Sequence, residues 1–425
     1  MNRPAHGARS FRLSRWMLPL LACSALLAPA WAVQPERAER TDRTDRADRT
    51  RDRQPEGPRR VIFILADGMG VAMLSSVDLL READAPLAIE SMPVTGLIKT
   101  SSRTGPVTDS AASASAYATG HRVRNGSLSI TPQGTPLTTV LEAARDAGLA
   151  TGIITTTDLT DASPAAFASH VPSRRLHAEI FKEIIDTRPD LIVGGIGKAS
   201  IQELGLDKDD LPEGTRPKAP AFIERAASAG YRVLDSDEAI LDELASDAGT
   251  PVLALADPRA NFDDNYGPPL ADTLERALAT LARDPEGFFL FVEQEETDSG
   301  GHANDLARVI AGVEEVDAAL RVALAFQREH PGTLIVLTAD HDTGGLSLDS
   351  GDYESGRADT LWLSGNHTTH WVPIYAKGPG AGRFTGVHEN RAVARLLARG
   401  LGLDWTPQRV EASEWVVPER RGIGR

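Results

Sequence analysis

Carboxylates and imidazoles recur at short, regular spacings in four separated stretches of this 425-residue chain. Asp67-Gly68-Met69-Gly70 follows one apolar run. Glu293, Asp298 and His302, spaced by five and then four residues, end and follow a second. Asp340-His341 follows a third, and Asp158, Asp161 and Ser163 close a fourth; His367 lies further on. One such Asp usually caps a helix or shapes a turn. Four acidic stretches gathered at one edge would repel strongly unless cations held them together. Nitrogen and carboxylate donors without thiolate suit zinc or another divalent first-row ion, and all-oxygen sets suit magnesium.

Thr108-Asp109-Ser110-Ala111-Ala112-Ser113 opens a run of small residues that predicts a tightly packed helix with Ser110 at its start. A helix N-terminus offers free N–H groups and a positive dipole end, which favour an anion. A serine there is often only a cap. Beside a metal cluster, Ser110 becomes a candidate nucleophile, its hydroxyl deprotonated by coordination.

Those residues need a scaffold that delivers them to one place. Val61–Ala66, Thr151–Thr156, Leu191–Gly195, Pro251–Ala256, Phe288–Glu293 and Leu334–Ala339 are short apolar runs without polar alternation, as in strands buried on both faces. Helical patterns lie between them, among them Thr138–Ala147, Leu176–Thr187, Ala221–Ala229, Leu270–Arg283 and Asn304–Arg328. This alternation predicts an α/β fold, a three-layer α/β/α sandwich with a large, mostly parallel central sheet. In such a sheet ligands bind beyond the carboxyl ends of the strands, where the acids lie. The catalytic domain is expected over residues 60–405, with short insertions near 198–220 and 344–366 and a C-terminal tail over 406–425.

Hydrophobic residues make up 41% and charged residues 25%, an ordinary globular balance, and the formal net charge is −15. That acidity weighs against a nucleic-acid partner. Arg3, Arg9, Arg12 and Arg15 precede an apolar run from Met17 that ends in Ala30-Trp31-Ala32. This reads as a signal peptide over residues 1–32, cleaved after Ala32, and implies a periplasmic or secreted protein. Leu20-Leu21-Ala22-Cys23 offers the alternative of a lipid anchor. Cys23 is the single cysteine, so a mature chain would have no disulfide and no transmembrane helix. Residues 33–59 carry a Thr-Asp-Arg repeat and read as a charged, disordered linker.

Taken in order over roughly residues 60–400, these motifs resemble the alkaline phosphatase family. To the stretches above are added His170-Val171-Pro172-Ser173-Arg174 and Asn366-His367-Thr368-Thr369. The resemblance implies two zinc ions and one magnesium. Asp298, His302 and His367 would hold the first zinc, and Asp67, Ser110, Asp340 and His341 the second. Asp67, Asp161, Ser163 and Glu293 would hold magnesium. Arg174 would clamp phosphate oxygens, steadied by Asp109. It further implies phosphate monoesters as substrates, a phosphoserine on Ser110, and a possible homodimer. The chemistry suits these residue types: paired metals clamp the attacking and leaving oxygens, and a guanidinium grips phosphate bidentately. Ser299 departs from the pattern, standing where members often carry Lys or His. Asp161, rather than His, favours magnesium. His170 and His370 are read as structural. A phosphodiesterase on the same scaffold and a non-catalytic phosphate- or metal-binding protein are the competing readings.

Overall fold

The computed structural model describes residues 59–80, 86–206, 219–246, 249–258, 266–352 and 357–416. The signal peptide, almost all of the linker, the centre of the 198–220 stretch and the last residues of the tail lie outside these. Among the described residues there are twelve strands: β1 Arg59–Ala66, β2 Val94–Lys99, β3 Ala150–Asp158, β4 Leu191–Gly195, β5 Arg232–Leu234, β6 Val252–Leu255, β7 Gly287–Gln294, β8 Thr333–Thr338, β9 Ser347–Asp352, β10 Arg357–Leu361, β11 Val372–Lys377 and β12 Gly386–Glu389. Ten form one sheet in the order β12-β2-β11-β8-β1-β7-β3-β4-β6-β5. All neighbours in it run parallel except those of β11, which is antiparallel to both β2 and β8. The sheet is mixed but mostly parallel, as the alternation of apolar runs and helices implies.

Register explains why acids converge. Leu65 of β1 lies opposite Glu293 of β7 and Thr338 of β8, and Thr155 of β3 lies opposite Glu293. Asp67, Glu293 and Asp340 therefore leave three adjacent strands at nearly one level. From Val61 to Ala66 every side chain is fully buried, which requires the uninterrupted apolar run.

Core packing also fixes the helices that carry the site. Phe167, in the helix Ala162–Ala168, stacks on Phe291 of β7 with ring centroids 4.5 Å apart, and Phe63 meets Tyr117 edge-on at 5.9 Å. Such pairs contribute about 0.5–1.5 kcal/mol each beyond area burial. Tyr117 lies in the helix Ser110–Thr119, whose residues are all buried. Its hydroxyl donates to the Ala339 carbonyl at 2.7 Å, and Ser113 Oγ donates to the Asp340 carbonyl at 2.7 Å. Small Ala and Ser side chains let this helix lie close against the end of β8 and bring Ser110 beside it.

The two expected insertions resolve differently. Residues Gly197–Leu204 form a helix that directly continues from β4. In the stretch 344–366, β9 and β10 form an exposed antiparallel ribbon. In the tail, the Gln408 carbonyl meets His121 Nε2 at 2.9 Å, and Thr135 Oγ1 donates to Glu414 at 2.6 Å. Among the described residues no helix is long and apolar enough to cross a membrane.

Candidate active site

Ser110 begins its helix, and Asp109 is the cap: one carboxylate oxygen accepts the Ala112 N–H at 2.9 Å, the other the Gly126 N–H at 2.8 Å. Ser110 Oγ lies 3.2 Å from His341 Nε2. The same nitrogen is 3.1 Å from Asp340 Oδ2 and 3.5 Å from Asp67 Oδ1. Each carboxylate has one oxygen satisfied by the chain. Asp340 Oδ1 accepts the Gly68 N–H at 3.1 Å and its neighbour's N–H at 2.9 Å, while Asp67 Oδ2 accepts from Ser163 Oγ at 3.1 Å. The other oxygens, Asp67 Oδ1 and Asp340 Oδ2, are buried with no hydrogen-bond partner. Buried orphan oxygens are costly. Two of them aimed at a serine hydroxyl and an imidazole nitrogen fit a cation. Burial, then Asp340 and three other acids, push the Asp67 carboxyl well above its ordinary range. A bound cation would reverse that.

Gly68 makes the crowding possible. Its φ is +69°, and a Cβ there would meet the Asp298 Cα at 2.8 Å, so both conformation and space require glycine.

A second group surrounds Asp298. His302 Nδ1 meets the Gly365 carbonyl at 2.8 Å and His367 Nδ1 meets the Thr108 carbonyl at 2.9 Å. A carbonyl only accepts, so both Nδ1 atoms carry hydrogen and both Nε2 atoms present lone pairs when neutral. Those Nε2 atoms are 3.2 Å apart, and lie 3.2 Å (His302) and 3.8 Å (His367) from Asp298. A proton or a metal must sit among them. The hydrogen bond to Asp298 pushes His302 up to about 9, whereas burial, and then His341, push His367 down to about 4. A divalent ion would compete for the position of the His302 proton. Thr343 Oγ1 donates to Asp298 Oδ1 and lies 3.2 Å from His341 Nδ1, bracing both groups from behind.

The third group splits the residues expected to share it. The Ser163 hydroxyl reaches both Asp67 and Glu293, and Thr155 Oγ1 donates to Glu293 Oε2 at 2.6 Å. Burial pushes Glu293 up to about 8 against the Thr155 hydrogen bond. Asp161 caps the helix Ala162–Ala168, and its carboxylate faces cations of the chain itself. Arg174 Nη2 donates to Oδ1 at 2.6 Å and Lys198 Nζ to Oδ2 at 2.5 Å. Burial would raise the Asp161 carboxyl, but Lys198 and Arg174 hold it far below the ordinary range. Arg174 Nη1 also stands 3.7 Å from Asp109. Glu295 brings an oxygen within 4.8 Å of ligand atoms of Asp67 and Glu293.

Glu295, Lys198, Thr155 and Thr343 are absent from the sequence-derived set. Glu295 lies inside the five-residue interval between Glu293 and Asp298, so only its place two residues past Glu293 could have signalled it. His170, bonded to Glu142 at 3.2 Å and the Ser129 carbonyl at 2.9 Å, packs away from these groups. His370 Nδ1 lies 3.3 Å from Asp342.

A mostly parallel sheet whose strand ends gather carboxylates, imidazoles, a helix-start serine and an arginine defines the class of metal-dependent phosphoryl-transfer hydrolases. The chain belongs to the alkaline phosphatase family, whose family model matches residues 58–357; members are phosphomonoester hydrolases, and the family implies metal ions. It is similar to alkaline phosphatase 3 of Bacillus subtilis, 28% identical over 81% of this chain and 89% of that protein. Similarity to the alkaline phosphatase of Escherichia coli is 27% over 83% of this chain and 88% of that one. A solved structure of a histidine-to-aspartate mutant of TAB5 alkaline phosphatase, with Mg bound in its M3 site, superimposes with a TM-score of 0.69 at 25% identity. It covers 82% of this chain and 99% of the TAB5 chain.

Proposed function

We propose that this enzyme hydrolyses phosphate monoesters through a phosphoserine on Ser110, using two zinc ions and one magnesium, in the periplasm or outside the cell. The observation that carries the reading is the convergence of Ser110 Oγ, His341 Nε2 and the two orphan oxygens of Asp67 and Asp340. Asp67, Ser110, Asp340 and His341 would hold one zinc, and Asp298, His302 and His367 the other. Asp67, Ser163 and Glu293 would hold magnesium, with Glu295 at hand and Asp161 as an outer carboxylate. The magnesium assignment is supported by the donor set, since Asp67, Ser163 and Glu293 offer oxygen alone. When bound, the ions neutralise the phosphate dianion, favour ionised serine and water, and stabilise the leaving oxygen.

The chain's own groups do the rest. Ser110 attacks phosphorus from the helix start, where backbone N–H groups face the anion. The buried tether from Tyr117 and Ser113 to the end of β8 fixes that position. Arg174 orients the phosphoryl group, and Asp109 and Asp161 hold its guanidinium in place. The Nδ1 bonds of His302 and His367 keep their Nε2 lone pairs directed at the site. Location outside the cytoplasm rests on the basic and apolar N-terminus.

The test is hydrolysis of a chromogenic phosphate monoester beside its diester and sulfate analogues, with metal content measured on the same samples. Monoester turnover that Ser110→Ala abolishes, and that zinc plus magnesium restore after chelation, supports the route. A labelled phosphoryl group on Ser110 after acid quench completes it. Diester preference would move the assignment to a phosphodiesterase, and a fully metallated protein without turnover would leave a binding role.

A further inference from the structure

Lys198 lies outside every motif of the sequence, yet its ammonium makes the shortest contact of the phosphate-facing group. We propose that Lys198 is a positioning residue for phosphate: by neutralising Asp161 it keeps Arg174 available to the substrate. The inference rests on the reading of Arg174 as the phosphate clamp.

Arg174 stands between two carboxylates, Asp109 at 3.7 Å and Asp161 at 2.6 Å. Alone, that trio carries a net negative charge where a dianion must bind. Lys198, 2.5 Å from the other Asp161 oxygen, makes the four side chains neutral as a set. The three groups are partly exposed, at 31% for Arg174, 13% for Asp161 and 28% for Lys198, so they can meet a ligand. Without Lys198, Asp161 would draw the guanidinium towards itself and repel phosphate.

The fold sets Lys198 in place. Its backbone N–H donates to Asp158 Oδ2 at 2.7 Å, and Asp158 Oδ1 accepts both the N–H and the hydroxyl of Thr160, at 2.9 and 2.5 Å. The buried Asp158 carboxylate thus ties the end of β3 to the start of the helix Gly197–Leu204. On the other side the Tyr266 ring lies against Gly195 and its hydroxyl against Gly197, where a Cβ would approach within 2.6 and 2.7 Å. A lysine held by its backbone at both neighbouring strand ends delivers charge at low entropic cost.

The test compares wild type, Lys198→Met, Lys198→Arg, Asp161→Asn and the Asp161→Asn/Lys198→Met double variant, all metal-loaded. KM, kcat and the affinity for inorganic phosphate are measured, the last by calorimetry as well as inhibition. Lys198→Met should raise KM and weaken phosphate binding about tenfold, the scale of one partly screened charge. kcat should not fall, because weaker product binding does not slow the chemical step. Lys198→Arg should restore both constants. In the Asp161→Asn background the Lys198→Met penalty should largely vanish. An unchanged phosphate affinity in Lys198→Met, a penalty that persists without Asp161, or a fall in kcat alone overturns the proposal. Wild type that fails to turn over a monoester would instead remove the site reading beneath it.

Discussion

Two acidic groups at one edge of the sheet have been built on opposite principles. At the ends of β1 and β8, Asp67 and Asp340 each leave a buried oxygen without a partner. At the end of β3, Asp161 has a cation of the chain on each oxygen. The first group stores a need for a foreign cation; the second is complete in itself. Residue type does not distinguish them. What differs is whether the chain supplies a permanent positive charge: only the His341 imidazole comes near the two orphan oxygens, whereas Arg174 and Lys198 both reach Asp161.

The sharpest way to break this comparison is to remove what the incomplete group acts on. Ser110→Ala should lower monoester turnover by at least about 10³-fold, as loss of a nucleophile does in a concerted site, with an unchanged far-UV spectrum. Asp340→Asn should come next. Metal analysis after dialysis should show a lost equivalent, and activity should fall roughly 100-fold, at the upper end for groups that tune a metal. If Asp340→Asn keeps its full metal content, the two groups do not differ as described. Thr343→Val removes only the brace on Asp298 and His341, and metal affinity by competition with a chelator should drop about tenfold.

The smallest effect concerns stability. In chelated protein the Glu293 carboxyl titrates near 8 instead of its ordinary 4.5. The folded form then keeps a proton that the unfolded chain releases, so stability is full below about 4.5 and declines as pH rises towards 8. Thermal melts of the chelated enzyme should therefore shift down by several degrees between pH 5 and 8 beyond the shift of the metal-loaded enzyme. Parallel melting curves for the two forms would contradict the storage of unmet charge.

The strands that flank this edge were plain in the sequence because they are buried on both faces, and the six apolar runs correspond to β1, β3, β4, β6, β7 and β8. β2 and β11 were not. VTGLIK is partly exposed, and VPIYAK carries Pro373 opposite Leu97 in an antiparallel pairing, so neither gives an unbroken run. The ribbon of β9 and β10 has Ser, Asp and Gly in place of an apolar face. The strand-end acids were legible because position after a strand is a strong signal. Lys198 was not, since its role depends on β4 lying beside β3, which no local spacing reveals. Thr155 and Thr343 are ordinary residues until register and loop closure set them behind Glu293 and Asp298.

β1 sits between β7 and β8, and through it the Gly68 N–H bonds Asp340 across 272 positions of chain. A ribosome takes roughly 10–60 s to add that many residues. Until β7 is made β1 has a partner on neither side, and until β8 is made one of its edges stays open. A chain interrupted before β8 would therefore expose a sticky strand edge instead of folding into a smaller enzyme. The sheet can close around its first strand only once its eighth has arrived.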